Sequence, residues 1–351
     1  MIVWWPILRL VRNIPGPRPT NPRFDPACPH HTPTGFRNNY PQQPPTAAEI
    51  NKLSAEANQP ADARPLRVDL SPVAPDLAFL HANRSQPAVT WIGHSTVLMQ
   101  MGGRNVLTDP IFAERATPVP FAGPRRLQPP GVKLLDLPPI DLVVISHNHY
   151  DHLNSASVRA LSKRGAEPPI FAVPLGLDRW FRRSLRRLPA HRVRAFDWWD
   201  STELAGLRVS LVPTHHWSAR TPWNRNENLW GAWIVESKDG FRFYFSGDLA
   251  WSADIRDVGE RAGGFDLAAI AIGHYEPRWF MKNNHIDPEE AVRVHRTLRA
   301  KRSLAIHHGT FAGLTVEPLD QPLIDLAEAR RAHGVSNEDF FALRHGQTKL
   351  V

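Results

Sequence analysis

The chain has 351 residues, 42% of them hydrophobic and 22% charged, enough for one large globular body with a substantial core, in one lobe or two. Its 42 Lys and Arg outnumber 34 Asp and Glu, for a net charge of +8. That sign favours an anionic partner, whether phospholipid surface, phosphodiester or nucleic acid, without choosing among them. A single cysteine, Cys28, excludes an intrachain disulfide and leaves no mark of an oxidising compartment.

The apolar run over 1–8, with Trp4 and Trp5, is too short to span a bilayer and lacks the basic start and small-residue cleavage site of a secretory signal. A cytoplasmic rather than secreted protein is expected. Arg9 and Arg12 behind the two indoles suit the inner face of a membrane as well as a plain tail. The twelve Trp fit half-wet sites and lipid interfaces, although packing accounts for most of them. Residues 1–65 hold 13 of the 34 Pro and little apolar periodicity. They are expected to be a Pro-rich extension, wrapped on the surface and not an independent domain, with 66–351 as the main folded domain.

From residue 88, short strand-like runs at 88–93, 96–101 and 105–108 are split by His94 and by Gly102 and Gly103, as in an antiparallel meander. The nearly continuous apolar run 140–146 predicts a strand buried on both faces. Residues 109–139 are Pro-rich and long for a connection, which favours a functional loop. Further strands are expected at 170–173, 207–212, 230–236, 241–245, 267–272 and 304–306, and helices at 153–162, 177–188, 288–298 and 323–332. The fold class is therefore mixed α/β, with layered sheets flanked by helices. The seven Arg over 179–194, with Trp180, Phe181, Leu185 and Leu188 as an apolar stripe, make a basic amphipathic helix. It docks either on anionic lipid or with its stripe toward the core and its basic back in solvent.

Directly after the 140–146 strand come His147, Asn148, His149, Tyr150, Asp151 and His152. Imidazoles at i and i+2 on a strand end share a face, so His147 and His149 can meet one metal, while Asp151 and His152 can meet another. Nitrogen and carboxylate oxygen suit zinc without any thiolate, and iron or manganese can take the same ligands. Asp287, Pro288 and Glu290 form a helix N-terminal signature, which places His285 beside free backbone N–H groups where a phosphate can sit; a His packed at a helix start is the plainer alternative.

These residues resemble the metallo-β-lactamase superfamily, whose metal signature matches His147 to His152, and within it the N-acylphosphatidylethanolamine-hydrolysing phospholipase D group. The likeness runs from about Trp91 to Gly346, through the stretches 91–97, 107–112, 145–152, 245–248, 275–282, 285–291 and 305–311. It implies a four-layer αββα sandwich with two zinc ions at one edge of the sheets. It implies His216 as the ligand that completes a first metal with His147 and His149, with His215 a neighbour. It further implies Asp248 as the carboxylate bridging both metals, and His307 as a ligand of the second metal beside Asp151 and His152. His308 stands where an aromatic residue is common, so the roles of His307 and His308 stay interchangeable at this level. Asp109 resembles a carboxylate that orients a metal-bound His, or is an ordinary turn Asp before Pro110. Asp151, Asp248 and His285 are the residues that the resemblance places in catalysis, His285 on the substrate phosphate. His94 is either structural or functional, and Glu276 and Arg278 either shape the cleft or form an internal ion pair.

Two zinc ions about 3.5 to 4 Å apart would lower the pKa of a bridging water towards about 7 and clamp the attacking hydroxide. The resemblance then implies phospholipase D chemistry, in which an N-acylethanolamine or similar alcohol leaves and phosphatidic acid remains. The implied partners are a phospholipid, a membrane surface and a second copy of the chain, and nucleic acid is not expected. The same centre can hydrolyse lactones, esters or β-lactams, and a ribonuclease would fit the positive charge. A di-iron redox protein usually has Glu where Asn148 stands.

Overall fold

Apolar runs that can be buried on both faces become inner strands, and here they build two seven-stranded sheets. The computed structural model describes residues 20–41, 46, 48, 49, 51, 52 and 66–351, apart from 120, 166, 222 and 315. The opening run 1–8, proposed above for a membrane surface, lies outside them. In chain order the strands are β1 (His31–Thr32), β2 (Gly35–Phe36), β3 (Ala88–Gly93), β4 (Thr96–Met101), β5 (Arg104–Thr108), β6 (Arg125–Arg126), β7 (Leu142–Val144), β8 (Ile170–Pro174), β9 (Val193–Phe196), β10 (Ser201–Leu204), β11 (Leu207–Val212), β12 (Ala232–Glu236), β13 (Arg242–Phe245), β14 (Leu267–Ala271), β15 (Arg302–Ile306), β16 (Phe311–Ala312), β17 (Phe340–Phe341) and β18 (Thr348–Leu350). The helices are α1 (Leu77–Ala82), α2 (Ser155–Leu161), α3 (Leu177–Ser184), α4 (Ala253–Ala262), α5 (Arg278–Met281), α6 (Pro288–Thr297) and α7 (Gln321–His333).

One sheet runs β18-β3-β4-β5-β7-β8-β9 and the other β10-β11-β12-β13-β14-β15-β17. Each begins as an antiparallel meander and continues parallel, from β5 onward in the first and from β13 onward in the second. Their inner faces interdigitate through Val89, Val97, Met99, Val144, Val209, Trp233, Phe243 and Leu304. On the outer face of the first sheet lie Leu80 of α1, Val158 of α2 and Phe181 of α3. Ile255 of α4, Val292 of α6 and Leu326 of α7 cover the second. The result is the expected αββα sandwich.

The basic helix is shorter than the expected 177–188. Of the expected apolar stripe, Phe181 and Leu185 are buried against the first sheet, and Trp180 and Leu188 pack there partly buried. The stripe therefore belongs to the core, and Arg182 and Arg183 face solvent. Among the described residues no helix is long and apolar enough to cross a membrane. Residues 20–41 lie on the body as a strap. His30 and His31 hold the two carboxylate oxygens of Asp197 at 2.6 and 2.8 Å, and Phe36 inserts between the sheets.

Helix α6 opens with the expected capping box: the Asp287 side chain accepts the Glu290 N–H at 2.8 Å, and Glu290 reaches back to the Asp287 N–H. Asp287→Ala is expected to cost about 1 kcal/mol of stability, up to ~2 with its Arg278 contact, measured by urea unfolding. A stability equal to wild type would show that the cap contributes nothing.

Candidate metal centre

The parallel halves of both sheets end at one edge, where open α/β sheets place their ligands. Asp109 follows β5 directly, His307 follows β15, and His147 and Asp248 stand three residues beyond β7 and β13. The first sheet thus supplies His147, His149, Asp151 and His152, and the second supplies His216, Asp248 and His307. Four non-glycine residues at this edge, His94, Asp109, His274 and His307, have φ of 54°, 31°, 66° and 65°. Such backbone costs roughly 1–3 kcal/mol per residue and persists where surrounding contacts over-determine it.

The ligand atoms of His147, His149, His216 and Asp248 all lie within 4.8 Å of one another, as do those of His94, Asp151, His152 and His307. In the first group His149 Nδ1 is 2.7 Å from His147 Nε2 and 3.4 Å from His216 Nε2. In the second, His152 Nε2 is 3.2 Å from His307 Nε2 and 3.4 Å from Asp151 Oδ2. Asp248 lies between the groups. Its Oδ2 is 3.7, 3.6 and 3.2 Å from the Nε2 atoms of His147, His216 and His152, and its Oδ1 is 3.0 Å from His307 Nε2.

Ring nitrogens this close cannot all carry protons toward one another, and their converging lone pairs call for cations. The donor set is all nitrogen and carboxylate oxygen, which fits two divalent ions of the zinc, iron or manganese type. The electrostatics agree. Burial opposes charge on His307, yet Asp248 and Asp151 carry its pKa up to about 9. Burial would raise Asp248, but the imidazoles of His152, His307 and His285 hold it well below the carboxylate range. His149, by contrast, is pushed down to about 3, chiefly by burial, and stays in the neutral form a metal requires.

Surrounding groups set the tautomers. Asp109 is fully buried; its Oδ2 accepts from His152 Nδ1 at 2.6 Å and from the Ser146 hydroxyl, and its Oδ1 accepts the Ser146 N–H at 2.7 Å. The Ser146 oxygen in turn accepts from His147 Nδ1 at 2.9 Å. One carboxylate therefore turns Nε2 of both His147 and His152 toward the centre. His216 Nδ1 donates to Asn284 O at 3.0 Å, with the same effect. His94 Nε2 donates to Asp151 Oδ2 at 3.1 Å; burial, with His307 adding, lowers its pKa to about 3, so it acts as a neutral donor that orients Asp151.

His285 stands over both groups, its ring centroid 5.4 Å from His216 and 5.5 Å from His307. Nδ1 makes no hydrogen bond among the described residues, and burial lowers the ring to about 4. Arg278 Nη1 donates to His285 O at 2.8 Å, and its Nε lies 2.9 Å from Asp287, so Arg278 forms an internal ion pair and also holds His285. His307 faces the centre while His308 turns away against Trp91, with ring centroids 4.6 Å apart. His215 contributes no atom to either group and meets Asn38 instead.

Contributors that the sequence alone did not reveal include Ser146, Asn38, His274 and, through its backbone carbonyl, Asn284. Ser146 and Asn38 are common polar residues without a pattern. His274, whose ring lies 4.2 Å from that of His307, stands three residues beyond β14 as His147 stands beyond β7, and that position was the available signal. Glu317 holds its left-handed backbone by accepting the His274 N–H at 2.6 Å.

The family model for the beta-lactamase superfamily domain matches residues 104–308. N-acyl-phosphatidylethanolamine-hydrolyzing phospholipase D 1 of Caenorhabditis elegans is 40% identical over 80% of this chain and 81% of that protein. The mitochondrial N-acyl-phosphatidylethanolamine-hydrolyzing phospholipase D of Saccharomyces cerevisiae is 29% identical over 63% of this chain, which spans about half of that protein, 47%. The solved structure of Igni18, a metallo hydrolase from the archaeon Ignicoccus hospitalis, shares the fold with a TM-score of 0.55 at 20% identity, over 76% of this chain and 99% of that one. The chain belongs to the metallo-β-lactamase superfamily and is a metal-dependent hydrolase.

Proposed function

We propose that the chain is a zinc phosphodiesterase of phospholipase D type, which hydrolyses N-acylphosphatidylethanolamine or a related glycerophospholipid to phosphatidic acid and an N-acylethanolamine-type alcohol. The observation that carries this reading is His285, an uncharged buried imidazole with an unengaged Nδ1, set over both ligand groups and anchored from behind by Arg278. In this reading it donates to a phosphoryl oxygen. The activity named for the Caenorhabditis relative supports the choice of substrate.

The metals would be held by His147, His149 and His216 on one side, by Asp151, His152 and His307 on the other, and by Asp248 between them. When bound, they supply Lewis acidity and bring the pKa of water down toward about 7. The residues of the chain do the rest. Asp109, Ser146 and Asn284 O keep the ligand lone pairs aimed, His94 fixes Asp151, and His285 donates to the phosphate as its oxygens gain charge. Residues 66–351 form the catalytic unit in this reading. The surface that meets the substrate is that of a lipid aggregate or membrane.

The test is turnover of micellar N-acylphosphatidylethanolamine by metal-quantified protein, beside a lactone and a simple phosphodiester, with and without chelator. Chelator-sensitive release of N-acylethanolamine is expected. Lactone turnover with no action on the lipid would leave the hydrolase assignment standing and reject the phospholipase reading.

A further inference from the structure

His216 differs from the other converging groups in how its backbone is held. It stands four residues beyond β11, at the start of the 213–229 loop, which contains no strand among the described residues, and an isolated pairing of His215 with Ala250 is the ladder contact in that stretch. A ligand on such a loop needs support from elsewhere. Asn38, 178 residues earlier in the chain, supplies it. Its Nδ2 donates to His216 O at 2.9 Å and approaches His215 Nε2 at 3.2 Å, while its Oδ1 accepts the His216 N–H at 3.2 Å. One primary amide thus grips the backbone of His216 on both sides.

Asn38 is itself fixed. Phe36, two residues before it, is buried in the core between the sheets. The next residue, Asn39, donates to Asp254 Oδ1 at 2.8 Å, and Tyr40 donates to Asp257 at 2.6 Å. With the backbone clamped and ring Nδ1 donating to Asn284 O, the Nε2 lone pair of His216 keeps one direction, toward His149 Nδ1 at 3.4 Å and Asp248 Oδ2 at 3.6 Å.

We propose that Asn38 is a positioning residue of the metal centre: residues 20–41 are a brace, and Asn38 sets the affinity of the His147, His149 and His216 pocket for its ion. This rests on reading His216 as a metal ligand. Groups that orient a ligand in this way are typically worth on the order of 10- to 100-fold in metal affinity.

The experiment is a competition titration of zinc against a chromophoric chelator with the full chain. Asn38→Ala is expected to weaken one of two zinc equivalents on the order of 10- to 100-fold and leave the other as in wild type. Asn39→Ala, which removes one anchor of Asn38 but leaves its amide on His216, is expected to weaken the same zinc equivalent by clearly less than Asn38→Ala does. Asn38→Asp keeps the acceptor and loses the donor, so it should fall between, and it carries the comparison if Asn38→Ala does not fold. Wild-type zinc affinity in the Asn38 variants overturns the proposal. So does an equal loss in Asn39→Ala, which would mean that any loosening of the strap suffices. His216→Ala, titrated alongside, separates the two failures: if it keeps both zinc equivalents, the ligand assignment is at fault and not the brace.

Discussion

Asp248→Asn is expected to leave less than one tightly bound metal per chain and to lower turnover by at least about 10³-fold, because several kcal/mol of stabilisation are lost at about 1.4 kcal/mol per decade. The reason is its place between the two ligand groups. One oxygen faces His147, His152 and His216 and the other faces His307, so a single substitution removes charge from both pockets. Amide nitrogen also points N–H bonds at ring nitrogens that need a cation. Elemental analysis and initial rates on the same preparation decide the matter. Full metal content with unchanged turnover would remove Asp248 from the centre.

Asp109→Ala should weaken the fold and the centre together. Its carboxylate is fully buried against an equally buried His152, and removing one partner of such a pair costs about 3–5 kcal/mol. Because Asp109 also orients His147 through Ser146, one change releases a ligand of each pocket, with a further loss in metal affinity on the order of 10- to 100-fold. Urea unfolding of the metal-free protein measures the first effect and zinc competition the second. Asp109→Asn retains one acceptor oxygen where the carboxylate serves three donors and should lie between. Were Asp109→Ala as stable as wild type with unchanged zinc affinity, Asp109 would be no more than a turn residue.

The inner strands were legible because their apolar runs are nearly unbroken: β7 falls within the expected 140–146, and β3, β4 and β11 match their expected bounds. The edges were not. Strand β9 carries Arg194 between Val193 and Ala195, and β10 reads Ser201, Thr202, Glu203 before Leu204, so neither shows the hydrophobic signal of a buried strand. Helix α4 hid behind Gly259 and five charged residues within ten. At the site, the dense motif His147 to His152 could be read locally, and the resemblance extended it to His216, Asp248 and His307. The choice of His307 over His308 needed the left-handed turn after β15, and Asn38 needed a contact spanning half the chain. Tertiary proximity of that kind leaves no periodic trace in a single sequence.

The seam between the sheets also has a thermodynamic meaning. Neither sheet owns a complete set: four of the seven groups that converge there belong to one half and three to the other. Ions bound across that line would favour the assembled sandwich over any partly opened form, by RT ln(1 + [metal]/Kd), about 4 kcal/mol when free metal exceeds Kd a thousandfold. The melting temperature of this protein is then a property of the solution as well as of the chain. A cell that withdraws the metal would face a sandwich still joined by its apolar core but easier to open at the edge the two sheets share.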